Sequence, residues 1–155
     1  MSKINLKDLK ERIGNAKIYN LAKRTPCQLA KKLSHDSGSE IWLKREDLQD
    51  VFSFKIRGAA NRISNLSDTE KLKGVCAASA GNHAQGMASA AKYYQTKAVI
   101  FMPITTPKIK INAVRAAGAE IRLIGENYDE SCKAALKYSK ETGAIFIHPF
   151  DELDV

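Results

Sequence analysis

Val75-Cys76-Ala77-Ala78-Ser79-Ala80-Gly81-Asn82-His83-Ala84-Gln85-Gly86 decides the reading of this chain. Four apolar residues give way to small and polar ones. The run that follows, Asn82 to Tyr94, then puts Ala84, Met87, Ala88 and Ala91 on one helical face. A buried strand that turns directly into a helix is the opening half of a parallel-sheet unit. The backbone N–H groups at such a turn point at any anion placed beyond the end of the strand.

The same grammar repeats downstream. Ala98 to Met102 reads as a second strand; Thr106 is placed to cap a helix with Pro107 at its first position, and Gly118 supplies a left-handed stop. Glu120 to Ile124 is a third strand. Asn127 and Glu130 form an asparagine version of the capping box, opening a helix through Ser139 that Gly143 closes, and Ala144 to Ile147 is the fourth strand. Residues 74–151 are therefore expected to form an α/β unit, an open parallel twisted sheet with helices on both faces and right-handed crossovers.

Ahead of Gly74 the pattern is less regular. Leu6, Leu9 and Ile13 give Asn5 to Ile13 the spacing of a short helix ending near Gly14. Thr25-Pro26 starts an extended piece, Leu29 and Leu33 anchor a short segment, and Ser34 to Ser39 reads as a loop. Glu40 to Lys44 reads as a strand with Arg45-Glu46-Asp47 as its charged exit, Glu46 and Asp47 being taken as ordinary surface carboxylates. Next comes Ser53-Phe54-Lys55-Ile56-Arg57-Gly58-Ala59, a lysine behind an aromatic at the mouth of a helix whose apolar face is Ile56, Ala59, Ala60 and Ile63, broken at residues 65–68. Most lysines of a basic chain are solvated cations. An amine attacks a carbonyl only when neutral, however, and Phe52 and Phe54 are the neighbours that could exclude water from Lys55.

Composition narrows the function classes. The chain has 155 residues, 44% of them hydrophobic, enough for one core. Its net charge of +8 lies almost wholly in residues 1–75, which carry 16 Lys+Arg and 9 Asp+Glu. Acidic residues alternate with the basic ones, and no aromatic-interleaved or paired Cys/His motif accompanies them, so a solvated face is favoured over a nucleic-acid site. No run reaches the 18 or so apolar residues of a membrane span, and the first twenty residues are too charged for a signal peptide. Cys27, Cys76 and Cys132, odd in number and far apart, suit free thiols in a reducing cytoplasm and suggest neither a disulfide framework nor a metal site.

Taken together, the "SFKIRGA" stretch from Ser53, the "SAGNHAQG" stretch from Ser79, Arg24-Thr25-Pro26 and Trp42 to Asp47 resemble the pyridoxal-phosphate enzymes of fold type II, most closely the threonine ammonia-lyases. Serine racemases and serine dehydratases are the runners-up, and a noncatalytic α/β interaction module is the alternative from another class. The resemblance implies that Lys55 carries pyridoxal 5'-phosphate, that Phe54 lies against its ring and that Asn82 hydrogen-bonds its ring hydroxyl. It further implies that the backbone of Ser79, Ala80, Gly81, Asn82 and His83 cradles a substrate carboxylate, a side chain at Gly81 being excluded. Residues 1–70 would then belong to the large domain of such an enzyme and residues 74–151 to the small one.

Ala80 lacks the hydroxyl that a racemase-like second proton carrier would supply, so elimination from L-threonine, with L-serine as a second substrate, is expected over racemisation. The implied setting is amino-acid metabolism, either biosynthetic towards isoleucine or catabolic, in a cytoplasmic homo-oligomer that binds neither nucleic acid nor membrane. The family's glycine-rich phosphate loop is not found among the nine scattered glycines, and the resemblance implies that it and the rest of the large domain would lie beyond residue 155. The expectation for the 155-residue chain by itself is weak cofactor binding and little turnover.

Overall fold

Local sequence rules set the element boundaries. In the computed structural model, which describes residues 5–155, Asn5 caps α1 (Leu6–Asn15) by accepting from the Lys7 amide. A two-stranded antiparallel ribbon follows, β1 (Cys27–Leu29) and β2 (Trp42–Lys44), paired Cys27 to Lys44 and Leu29 to Trp42, with α2 (Lys31–Ser37) between the strands. Helix α2 occupies most of the stretch expected as a loop, and left-handed Gly38 ends it. Leu33, expected to anchor this region, is instead half exposed, because both faces of the ribbon lie open.

A 3-10 turn at Glu46–Leu48 leads to α3 (Lys55–Ser64), whose buried face is Ile56, Ala59, Ala60 and Ile63 as the spacing predicts. Then comes α4 (Asp68–Lys73), absent from the sequence reading because it buries none of its residues. A complete capping box holds it, with Ser67 bonded to the Glu70 amide and the Glu70 carboxylate to the Ser67 amide.

The remaining elements are β3 (Val75–Ala78), α5 (Asn82–Tyr93), β4 (Ala98–Met102), α6 (Lys108–Ala116), β5 (Glu120–Leu123), α7 (Tyr128–Thr142) and β6 (Ile145–Phe146). All four strands pair in parallel in the order β5-β4-β3-β6, with Val75 opposite both Ala98 and Ile145. Gly118 and Gly143 adopt the positive φ foreseen for them, and Asn127 caps α7 by accepting from the Glu130 amide. Thr106 does not cap α6. Pro107 takes the cap position, its carbonyl accepting from the Lys110 amide, and the Thr106 hydroxyl is buried without a partner among the described residues.

Helices cover both faces of this sheet. On one side Ile100 and Met102 meet Met87 and Ala91 of α5, Ile111 and Val114 of α6, and Ile63 of α3. On the other, Cys76, Val99 and Phe101 meet Ala135 of α7. Strands β3 and β4 are buried at every position, which is why they read as continuous apolar runs rather than alternating ones.

Candidate functional site

The strand order fixes where a ligand would sit. From β3 the chain moves outward through β4 to β5, then crosses the sheet by α7 and returns on the other side of β3 as β6. Between β3 and β6 the direction of winding reverses, and in open α/β sheets the crevice beyond the carboxyl ends of strands at such a point is the ordinary binding place. The loop leaving β3 there is Ser79 to Gly81. The segment leaving β6 is Ile147 to Pro149.

Lys55 is brought to the same place from outside the sheet. Its ammonium donates to the Pro149 carbonyl at 2.6 Å and lies 5.2 Å from the Phe54 ring centroid. The backbone is located by helix packing: a Cβ at Gly86 would stand 2.9 Å from the Lys55 carbonyl oxygen and 3.2 Å from the Ile56 nitrogen. No side chain fits in that contact, so α3 begins directly against α5, one turn beyond Asn82. Asn82 and Gly86, four residues apart, share a face of α5, which puts the exposed Asn82 side chain on the flank of the helix that meets the lysine.

The α5 N-terminus is open. The Ala84 amide donates to the Gly81 carbonyl at 3.1 Å, but the amides of Asn82 and His83 find no acceptor among the described residues, and no side chain caps the helix. Gly81 has φ −130°, an extended value any residue can take, and a Cβ built on it meets nothing within 4 Å. A protein contact therefore does not explain this glycine. Open space beside two unpaired amide donors is what an anionic group would need.

His83 is 3% exposed and its Nε2 lies 3.3 Å from the Ile147 carbonyl, an acceptor only, so Nε2 carries the proton. Nδ1 is buried with no partner among the described residues. Burial pushes the imidazole down to about 4, opposed by the Ile147 bond and helped by the neighbouring Lys55 and His148 charges. A neutral histidine thus ties the α5 N-terminus to the end of β6. The His83 ring is packed inside the chain and not presented to solvent.

Two expected features are placed differently. Phe52 and Phe54 are 78% and 58% exposed, so neither shields Lys55 from water in this chain. Phe52 lies at φ 53°, a left-handed turn that turns its side chain outward. Glu46 is not a solvated surface acid: the Arg57 guanidinium grips it with Nε to Oε2 at 2.8 Å and Nη2 to Oε1 at 2.7 Å. Thr25 donates to Oε1 at 2.5 Å and Gln49 to Oε2 at 3.2 Å. Arg57 foremost, then Thr25 and Gln49, hold the carboxyl down to about 2 against the opposing effect of burial. Nothing in the sequence around Glu46 announces this, because its two strongest partners, Arg57 and Thr25, come from other segments.

A cleft of about 620 Å³ between α1, α3 and residues 153–155, lined by Arg12, Asn61 and Asp154 among others, contains none of the sequence-predicted site residues. Among the described residues no cluster of His, Cys, Asp and Glu could hold a metal ion, and no helix is long and apolar enough to cross a membrane.

Comparison with known proteins agrees with this geometry. The family model described as "Pyridoxal-phosphate dependent enzyme" matches residues 18–155. A biosynthetic L-threonine dehydratase of Staphylococcus epidermidis is 48% identical over 155 residues, covering 98% of this chain and 36% of that protein. Among solved structures, the processed form of threonine deaminase isoform 2 from Solanum lycopersicum superimposes with a TM-score of 0.91 at 46% identity, over 97% of this chain and 42% of that one. Maize serine racemase gives 0.87 at 31% identity, over 97% and 45%. The chain thus spans less than half the length of each of these three relatives.

Proposed function

The chain belongs to the pyridoxal-phosphate dependent enzymes, and we propose that it serves a threonine ammonia-lyase, converting L-threonine to 2-oxobutanoate and ammonia and L-serine to pyruvate and ammonia. One observation supports this: the Lys55 amine is bonded to the Pro149 carbonyl just beyond β6, and its backbone packs against Gly86 one turn into the uncapped helix α5, beside the switch point of the sheet. The greater identity to the tomato deaminase than to the maize racemase supports elimination, as does Ala80, whose methyl has no proton to return to the opposite face of a substrate.

In this reading Lys55 holds the cofactor covalently, Phe54 lies against its ring and Asn82 bonds its ring hydroxyl. When bound, the cofactor supplies an electron sink for the substrate's α-carbon. The chain's own groups do the rest. Amides of residues 79–83 hold the substrate carboxylate at the positive end of α5. The Lys55 Nζ would be the base that takes the substrate's Cα proton. Loss of the β-hydroxyl and, after hydration, of the α-amino group completes the reaction. Residues 1–70 form part of a large domain and residues 74–151 the small one. The reading includes a cytoplasmic setting, supported by three free cysteines, and a homo-oligomer, supported by exposed apolar side chains such as Trp42 and Phe150.

The test is chemical capture. Saturating pyridoxal phosphate and borohydride, followed by peptide mapping, are expected to label Lys55 ahead of the other lysines, the cofactor's own binding outweighing the slower intrinsic reactivity of a half-buried amine. L-Threonine added before the borohydride should lower that label more than D-threonine does. Even labelling across the surface lysines would overturn the assignment.

A further inference from the structure

The first turn of α3 breaks the usual rules for a helix start. Phe54 at the cap position offers no side-chain acceptor, and the turn contains no acidic residue, while Lys55 and Arg57 both place positive charge at the positive end of the helix dipole. Such a turn should fray, taking Lys55 with it. Only the weak Ser53 hydroxyl contact to the Lys55 amide, 3.3 Å, caps it locally.

The missing anion comes from another segment. Glu46 receives the Arg57 fork at the third residue of α3, and both side chains are less than a fifth exposed. Around them the polar atoms close into a network: Gln49 exchanges two bonds with the Lys23 backbone, at 2.8 and 2.9 Å, and Arg57 also donates to the Lys23 carbonyl at 3.2 Å. The opposite side of the same turn is pressed against Gly86. Accepting Lys55 as the reactive amine, we propose that Glu46 and Arg57 are positioning residues which, acting through the α3 backbone, hold the Lys55 amine at the Pro149 carbonyl in the crevice. Neither touches the reacting atoms. Their effect is to keep the first turn of α3 wound so that Nζ is presented in one direction.

The experiment reads Lys55 without any cofactor. Brief acetylation of the purified chain with an amine-reactive ester, quantified residue by residue by mass spectrometry, compares Lys55 with the exposed Lys108 of α6 as internal standard. In the wild type Lys55, tied to Pro149 and half buried, is expected to react several-fold more slowly than Lys108. Glu46→Ala and Arg57→Met should bring Lys55 to within about twofold of Lys108, while Glu46→Gln, which keeps hydrogen bonds but loses the charge, should give an intermediate rate. Arg57→Lys should recover less than half of the protection, since an ammonium cannot make the fork.

Circular dichroism identifies any variant that fails to fold; the Gln and Lys variants keep the side-chain volume and decide the matter if the others are lost. An unchanged Lys55-to-Lys108 ratio in folded variants overturns the proposal. An equal rise in the reactivity of the half-buried Lys71 of α4 would also overturn it, because that marks a general loss of stability. The cofactor-capture test stands apart: failure there removes the enzymatic reading and leaves the acetylation ratio to judge the clamp.

Discussion

The parallel sheet and the antiparallel ribbon both carry apolar strand residues and put them to opposite use. Every residue of β3 and β4 is buried between α5 and α6 on one side and α7 on the other. Every residue of β1 and β2 is exposed, including Trp42 at 56%. The sheet is sufficient to itself, whereas the ribbon has only its own partner strand. A lone two-stranded ribbon is marginal in water. Lys55 stands at the junction of these two regimes, its helix packed on α5 but its first turn tied to the ribbon side through Glu46.

The largest effect should come from cutting into the sheet core. Ile100 is fully buried and touches both α5 and α6 surroundings, so Ile100→Ala is expected to cost about 2–5 kcal/mol in urea unfolding. Trp42→Ala, though it removes a larger side chain, should cost under about 1 kcal/mol. Equal losses at the two positions would mean that the ribbon is packed in solution and that the contrast is false.

Acid should break the junction before it breaks the sheet. His83 is held neutral down to about 4 in the folded chain, against about 6.5 unfolded. Between those values the unfolded chain binds the extra proton, so this contribution is complete above about 6.5 and is lost as the pH falls through about 4. The loss is on the order of 3 kcal/mol. His83→Leu should flatten the stability slope over that window. Below it the depressed Glu46 carboxyl takes over, its contribution fading from about 4.5 towards 2, and Glu46→Gln should flatten that lower limb alone. A slope that persists in the His83 variant would place the acid sensitivity elsewhere.

The same contrast governs what could be read from sequence. Strands buried on both faces announce themselves: Val75 to Ala78 and Ala98 to Met102 were bounded to the residue, because burial, not a partner's identity, selects their side chains. Helix α3 was legible by its period. Glu46 was not, since its role depends on the tertiary approach of Thr25 and Arg57. Pro149 was silent for the same reason, acting through a carbonyl that every residue possesses. Helix α4 escaped because Leu72, its one large apolar residue, is 88% exposed and gives no period, although the Ser67-to-Glu70 spacing was there to be used. Gly86 also left a signal, since a glycine inside a helix costs roughly 1 kcal/mol relative to alanine and asks for a reason.

That reason can be tested by sign. Propensity predicts that Gly86→Ala stabilises α5, whereas the 2.9 Å approach to the Lys55 carbonyl predicts that it destabilises, since the obstructing atoms are backbone and cannot swing aside. We expect a net loss of about 1–3 kcal/mol in urea unfolding. A gain in stability would show that α3 can move off α5 freely, and with it the junction would lose its fixed geometry.

The smallest effect belongs to α4, which has neither a sheet nor a ribbon to lean on. With none of its residues buried, its order rests on the Ser67 cap and on Thr96, whose hydroxyl donates to the Lys71 carbonyl at 2.6 Å. Ser67→Ala removes the side-chain half of the box and should cost about 1 kcal/mol. Because β3 is held by its own neighbours, that loss should stay local, speeding amide exchange at Glu70 and Lys71 by about fivefold while leaving exchange in β3 unchanged. If β3 exchange rises in step, α4 is part of the cooperative unit, and the boundary between self-sufficient sheet and dependent periphery lies on the N-terminal side of Asp68 instead of at Gly74.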